Sequence, residues 1–384
     1  MALDDITFRQ LLDSVERFVR ERLIPIEAEV DATDEVPEKV LDEMRALGLF
    51  GLTIPPEYGG LGLNSEEEVQ IWFALTYAAP AFRSIVSSNN GIGSQGIVID
   101  GTPAQKECYL ARMARGELIG SFCLTEPEAG SDAASLRTTA IRDGDSYVIN
   151  GSKRFISNAP RAGVLTVMAR TDPGNKGAGG VSAFIVDAKT PGIRLGPSYK
   201  KMGQRGAKAC DVFFEDCRVP AETLIGGVEG QGFKTAMKVL DRGRLGMASG
   251  CIGVARRLIR EMVAYATARR QFGQPIADFQ LIQAMIADSE TEMHAARAMI
   301  MEAARLRDRG QRVTKLASMC KYFASEMVGR VADRAVQVHG GAGYIADQPV
   351  ERLYRDARVF RLYEGTSQIQ QLLIARETIR ELMH

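Results

Sequence analysis

The C-terminal third of the chain carries apolar stripes that leave little choice of fold. Leu245, Ala248, Ile252, Ala255, Ile259, Met262 and Ala266 recur at alternating spacings of three and four, the signature of one face of an uninterrupted helix. Met293, Ala296, Ile300 and Ala303 repeat the pattern, and Leu316, Phe323, Met327 and Val331 repeat it again. Helices of this length are stable in water mainly through what covers their apolar faces. The spacing therefore predicts a C-terminal four-helix bundle over residues 229–384. Ala248, Gly250 and Gly253 on its first helix leave room for a close partner.

Upstream the period changes. Tyr147-Val-Ile-Asn, Val164-Leu-Thr-Val-Met-Ala, Val181-Ser-Ala-Phe-Ile-Val and Val212-Phe-Phe-Glu are short β-branched and aromatic runs, parted by turns such as Asp143-Gly-Asp and Asp172-Pro-Gly-Asn. They predict a middle β-barrel or sandwich domain over residues 119–228. Residues 1–118 read as helical. Leu11, Val15, Phe18 and Val19 form a stripe that Pro25 is expected to close, and Ser65 with Glu68 reads as a capping box. Trp72, Phe73 and Leu75 are expected in the core, and Thr102-Pro-Ala-Gln caps a further helix. The whole is an α+β multi-domain chain with an α–β–α order, which leaves clefts where its layers meet. Gly91-Ile-Gly-Ser-Gln-Gly matches G-x-G-x-x-G as letters, but its flanks read as helical and no strand leads in, so it is no dinucleotide fingerprint.

Charge excludes some functions. With 48 basic and 48 acidic residues the formal net charge is zero, so no global field gathers nucleic acid or an anionic membrane. The six cysteines include no C-x-x-C pair, and His294, His339 and His384 stand far apart, so no metal site is expected and a reducing compartment is. No apolar run is long enough for a membrane span, and the acidic Met1-Ala-Leu-Asp-Asp-Ile-Thr has no signal-peptide core. A cytoplasmic location is expected.

Five stretches carry candidate chemistry. In Arg361-Leu-Tyr-Glu-Gly-Thr-Ser-Gln-Ile-Gln-Gln371, Glu364 sits on a loop that feeds a helix N-terminus, suited to proton abstraction beside an anionic cofactor. Phe122-Cys-Leu-Thr-Glu-Pro-Glu-Ala-Gly-Ser-Asp132 runs from a short strand into a turn that exposes hydroxyls and backbone N–H groups. Lys153-Arg-Phe-Ile-Ser-Asn158 places an aromatic and a hydroxyl where they could cover a flat ring. Arg269-Arg-Gln-Phe-Gly-Gln-Pro-Ile-Ala-Asp-Phe-Gln280 is a helix end, a turn and a new helix. Gln337-Val-His-Gly-Gly-Ala-Gly-Tyr344 is a helix ending in glycines.

Together, and in this order, these stretches resemble the acyl-CoA dehydrogenase family. The resemblance runs from Gly51-Leu-Thr-Ile-Pro-Pro-Glu-Tyr-Gly-Gly-Leu-Gly to Tyr-Glu-Gly-Thr-Ser-Gln. It implies the same helical–β–helical fold, non-covalent FAD, an acyl-CoA substrate, an electron-transfer flavoprotein as acceptor and a homotetramer built as a dimer of dimers. It implies α,β-dehydrogenation to a trans-2-enoyl-CoA, as in fatty-acid β-oxidation, with Glu364 removing the α-proton and the β-hydrogen leaving as hydride to flavin N5. The backbone N–H of Glu364 and a ribityl hydroxyl would polarise the thioester carbonyl. By the same resemblance Phe122, Leu124, Thr125, Gly130 and Ser131 line the flavin, and Phe155, Ile156 and Ser157 pack on its ring. Thr366 and Gln368 sit near its diphosphate and adenosine. Arg269, Phe272, Gln280, Gln337, Gly340 and Gly341 reach the flavin of a neighbouring subunit. Ser131, Asp241, Arg244 and Gly365 contact the CoA substrate.

Some positions depart from the family pattern. Phe155 stands where Trp is usual and Ser157 where Thr is usual, which keeps an aromatic plane and a hydroxyl. Isovaleryl-CoA-type and long-chain members carry the base at the position of Gly243, which cannot serve, so Glu364 makes the chain resemble short- and medium-chain members. Ala81-Phe-Arg-Ser-Ile-Val-Ser-Ser-Asn-Asn is polar for the end of a fatty-acyl pocket. Arg83 and Ser87 match the Arg-Ser-x-x-Ser segment of glutaryl-CoA dehydrogenases, which implies a dicarboxylyl-CoA substrate as the alternative; otherwise Arg83 pairs with a surface acid. A flavin oxidase or monooxygenase, or a DNA-binding flavoprotein, are further readings of the same fold. Zero net charge and an intact Glu364 weigh against the last.

Overall fold

The computed structural model describes residues 3–383; Met1, Ala2 and His384 lie outside the described residues. The chain opens with α1 (Asp5–Phe18), capped by Asp4, whose carboxylate accepts from the N–H groups of Ile6 and Thr7. The expected stop at Pro25 does not occur. The backbone runs on through a π-turn (Val19–Leu23) and a 3₁₀ turn (Ile24–Ile26) into α2 (Glu27–Thr33). Proline is tolerated there because those turns have already left the i→i−4 ladder that its missing N–H would break. Then come α3 (Glu38–Ala46), α4 (Ser65–Leu75), α5 (Pro80–Ser88), α6 (Gln95–Asp100) and α7 (Pro103–Ala114).

The capping box of α4 falls one residue earlier than expected, on Asn64 and Glu67. Asn64 is still extended and its side chain reaches the Glu67 N–H, which leaves Ser65 as the first helical residue and frees Glu68 for another role. The Thr102–Gln105 box forms at α7 as the sequence indicates.

The middle layer has strands β1 (Gly120–Cys123), β2 (Thr139–Asp143), β3 (Ser146–Ser157), β4 (Val164–Arg170), β5 (Val181–Asp187), β6 (Ile193–Leu195) and β7 (Ala209–Pro220). They form one seven-stranded sheet in the order β1-β4-β2-β3-β7-β6, with β5 also on β4. β4 therefore has neighbours on both edges and meets β2 only through Thr139 and Arg170, where the sheet curls. Tyr147, Leu165, Phe184 and Phe214 belong to the core on one side of the sheet. Its other face packs on α6, α7 and the start of the bundle through Met113, Phe122, Met168 and Ala236.

The bundle comprises α8 (Gly232–Ala268), α9 (Gln280–Asp308), α10 (Thr314–His339) and α12 (Ser367–Met383), with the short α11 (Pro349–Ala357) before the last. The stripe residues of α8 and α9 are all buried in one core. A small hairpin, Arg270–Gln271 with Gln274–Pro275, joins those two helices. α4 and α5 pack against α8. At Gly253 an added Cβ would lie 2.2 Å from Thr76 Oγ1 and 2.7 Å from the Phe73 carbonyl oxygen, so helix and chain touch through backbone.

Polar ties cross between the layers. The buried Glu27 carboxylate accepts from Arg352 and Arg257 of the bundle at 2.9 and 3.4 Å, and from the Ala79 N–H of its own layer at 2.8 Å. Asp356 of α11 is buried and accepts from the backbone N–H of Gln204 in the middle layer. Five of the six cysteines are buried, and only Cys108 is exposed.

Candidate active site

Glu364 occupies the loop between α11 and α12, and its backbone lies in the left-handed region at φ 57°, followed by Gly365 at φ 85°. Among the described residues six other non-glycine residues share that conformation, and three of them, Phe155, Asn158 and Gln204, also line the cavities described below. Strained backbone persists only where surrounding packing holds it, and here it gathers at one place. Gln370 helps hold the loop, donating to the Glu364 and Gly365 carbonyls at 3.1 and 3.3 Å. Thr366 Oγ1 caps the Ile369 N–H at 3.3 Å.

Two cavities meet at this loop. The smaller, about 280 Å³, lies between α4, α5, α8 and the 201–207 segment, with Trp72, Arg83, Ser87, Gly243, Tyr363 and Glu364 in its wall. The larger, about 660 Å³, lies between the sheet and the bundle. Its wall has Phe122, Leu124, Thr125, Gly130 and Ser131 on one side, and Phe155, Ile156 and Ser157 on another. Arg244, Gly365, Ile369, Leu372, Leu373 and Arg376 close it from the bundle. Glu364, Tyr363, Ile92 and Ser157 belong to both walls. Ile369, Leu372 and Leu373 of α12 thus face a cavity, whereas its buried residues are the polar Ser367, Gln370 and Glu377.

β3 owes its shape here to a bulge. Its pairing with β7 slips between Lys153 and Ile156, and Phe155 takes φ 59°. Strict alternation is lost, so Ile156 is buried while Phe155 stays 60% exposed on the cavity side.

The electrostatics centre on the Glu364 carboxylate. Its Oε2 is buried and has no hydrogen-bond partner among the described residues. Burial raises its pKa above the ordinary carboxylate range, against the pull of Arg83, Arg244 and Lys321. Lys321, fully buried on α10, has no hydrogen-bond partner for its ammonium among the described residues, and burial depresses its pKa to about 8. A Cβ on Gly243 would come within 2.5 Å of Glu364 Oε2, so the glycine makes room for the acid. The backbone N–H of Glu364 makes no hydrogen bond among the described residues.

Arg83 does not pair with a surface acid. It is buried at 7% exposure, has no ion pair among the described residues, and lies 5.2 Å over the Trp72 ring. Ser87 shares its cavity. Trp72 Nε1 donates at 3.2 Å to Glu68, which also holds Arg242 at 3.1 Å.

Other expected site residues lie elsewhere. Asp241 pairs with Arg244 and accepts from Thr314 at 3.0 Å, outside both cavities. Thr366 and Gln368 stand at the start of α12 without lining either cavity. Arg269, Phe272, Gln280, Gln337, Gly340 and Gly341 sit at the far end of the bundle, where α8 and α10 end and α9 begins. Phe272 there is 93% exposed. Sequence reasoning missed Lys321, Tyr363, Gln204 and Glu68. Lys321 did carry a signal, since Ala317, Lys321, Ala324 and Val328 share a helical face.

Among the described residues there is no cluster of His, Cys, Asp and Glu fit for a metal ion, and no helix long and apolar enough to cross a membrane. The chain matches three family models: acyl-CoA dehydrogenase N-terminal domain over residues 7–117, middle domain over 121–217 and C-terminal domain over 230–379. It is 44% identical to the CarC subunit of the caffeyl-CoA reductase–Etf complex of Acetobacterium woodii, over 90% of this chain and 91% of that protein. The structure of butyryl-CoA dehydrogenase from Megasphaera elsdenii superposes with a TM-score of 0.94 at 35% identity, covering 99% of each chain. An acyl-CoA dehydrogenase from Bacillus anthracis, complexed with FAD, gives 0.92 at 32% identity over 100% of this chain and 69% of its own.

Proposed function

The chain belongs to the acyl-CoA dehydrogenase family, and on that premise we propose that Glu364 moves the α-proton of a short or medium acyl-CoA thioester. The protein is an oxidoreductase acting on CoA thioesters, with FAD as its cofactor. The larger cavity suits that group. Phe155 and Phe122 offer flat apolar surface, Thr125, Ser131 and Ser157 offer hydroxyls, and Arg244 and Arg376 offer positive charge for an anionic tail.

In the dehydrogenating direction the Glu364 carboxylate takes the proton from Cα. The electron pair left there forms the Cα–Cβ double bond as the β-hydrogen departs with its pair, and FAD supplies the two-electron acceptor. The free N–H of Glu364 points the way to polarising the thioester oxygen as negative charge develops on it. In the reducing direction the protonated Glu364 returns its proton to Cα. Burial suits both roles, because a raised carboxyl pKa makes the carboxylate a stronger base and lets the acid form hold the proton it returns.

The observation that carries this reading is Glu364 itself, a half-buried acid shared by the two cavities, whose buried Oε2 has no hydrogen-bond partner among the described residues. Glu364→Gln keeps the shape and removes the base. It is expected to retain FAD and bind acyl-CoA while turnover falls about 100- to 10,000-fold. Near-normal turnover in that variant would place the base elsewhere.

A second reading concerns the acyl tail. The unpaired Arg83 in the small cavity favours a substrate with a distal carboxylate, held by a charge-assisted hydrogen bond with Ser87 nearby. Kinetics with glutaryl-CoA against butyryl- to octanoyl-CoA decide it. The carboxylate reading expects glutaryl-CoA to lead and Arg83→Ala to abolish that lead. Preference for plain chains, unchanged in Arg83→Ala, rejects it.

An electron-transfer flavoprotein is the acceptor that fits, given the relative named as part of an Etf complex. A homotetramer accounts for the bare Phe272 and for Tyr344, 84% exposed, at the end of the bundle. There Arg269, Gln280, Gln337, Gly340 and Gly341 would meet a neighbour's flavin.

A further inference from the structure

Behind the larger cavity, out of contact with anything it could hold, lies a buried ion pair that no step above uses. Lys153 of β3 has no exposed side-chain surface, and Glu126 has 6%. Lys153 Nζ donates to Glu126 Oε1 at 2.7 Å and to the Leu124 carbonyl at 3.3 Å. Glu126 also accepts from the backbone N–H groups of Thr138 at 3.0 Å and Arg137 at 2.6 Å. Its own backbone closes a tight loop with Ala129 through bonds of 3.0 and 3.2 Å.

These bonds join two cavity walls. Leu124, Thr125, Gly130 and Ser131 are on the 124–138 loop that Glu126 gathers. Phe155 and Ser157 follow Lys153 across the β3 bulge. The Arg154 N–H donates to the Thr125 carbonyl at 2.8 Å, a second stitch between the same two walls. A fully buried ion pair is weak evidence for stability, because desolvation offsets the attraction. It does fix geometry, since both partners need their bonds where water cannot replace them.

We propose that Glu126 and Lys153 are positioning residues that set the spacing between the loop wall and the strand wall, and so pre-form the cavity for the isoalloxazine ring. The inference rests on FAD being the occupant. Neither residue lines the cavity; they act through Leu124, Thr125 and Phe155.

The test compares wild-type apoprotein with Glu126→Gln, Lys153→Met and the double variant E126L/K153M, reading FAD dissociation constants by ultrafiltration and the visible absorption band of the bound flavin. The double variant replaces the pair with apolar side chains, a change that often leaves stability intact. It still removes the acceptor for the Arg137 and Thr138 N–H groups. All three variants are expected to bind FAD about tenfold or more weakly, as when outer partners of binding groups are lost, with a shifted flavin band. A double variant with wild-type melting temperature, affinity and band overturns the inference. Wild-type apoprotein that takes up no FAD overturns the cofactor reading and this inference together.

Discussion

At the scale of single residues, the site is organised by what surrounds one carboxylate. Gly243 is the clearest case. Its missing side chain leaves the space that Glu364 Oε2 occupies, at 2.5 Å from where a Cβ would stand. Gly243→Ala is therefore expected to displace the acid rather than the fold. FAD content and melting temperature should stay at wild-type values while kcat falls about 100-fold, the cost of a displacement near 1 Å. Steady-state kinetics beside a flavin absorbance ratio check it. Glu364 was legible in the sequence because its neighbours form a distinctive string. Tyr363 and Lys321 were not assigned roles, since their importance comes from burial beside Glu364, and burial of a polar atom is settled by contacts remote in sequence. The fate of Arg83 was open for the same reason: only the fold shows it buried over Trp72 with no ion pair among the described residues.

At the scale of elements, periodicity predicted the buried faces of α8 and α9, whereas on α10 Met327 and Val331 are buried and Leu316 and Phe323 only half so, because the small Ala317, Cys320 and Ala324 take the inner face. The α8 and α9 stripes are buried at every position named from spacing alone. Local punctuation misled where two solutions were close in energy. Asn64 and Ser65 can both cap, and Asn64 wins with Glu67 as its reciprocal partner. Pro25 sits in a stretch where the helix has already changed its hydrogen-bond ladder. The bulge in β3, which turns Phe155 outward, left no mark on the sequence beyond its residue types. The glycines of α8 give a direct test of packing. Gly253→Ala drives a methyl into the Phe73 carbonyl and Thr76, atoms that cannot rotate away together. A destabilisation of about 1–3 kcal/mol is expected from such overpacking, measured by denaturant unfolding, with the flavin site unaltered at temperatures where the protein remains folded.

At the scale of the whole molecule, the α–β–α order matters because the cavities lie between layers and belong to none alone. The layers are locked by buried charges, and one of these titrates in an accessible range. Burial lifts the Asp356 carboxyl from 3.8 to about 6, despite the Gln204 N–H it accepts and the nearby Arg355. A raised folded-state pKa means that the folded protein binds this proton more tightly than the unfolded chain does. The group's stabilising contribution is thus full below about pH 4 and lost as pH rises through 6. Asp356→Asn keeps an oxygen for the Gln204 N–H and has no charge to bury. It is expected to be more stable than wild type at pH 7.5 by up to about 3 kcal/mol, the gap closing towards pH 4, as urea titrations at both values would show. The sequence placed these layers in order but not the bonds between them, which join residues more than a hundred positions apart. The chain's single tryptophan adds a practical consequence. Trp72 lies in the wall of the smaller cavity beneath Arg83. All indole emission of the protein therefore originates in the wall of that cavity, so quenching of that light on adding an acyl-CoA tests the proposed seat of the acyl tail, with no turnover required.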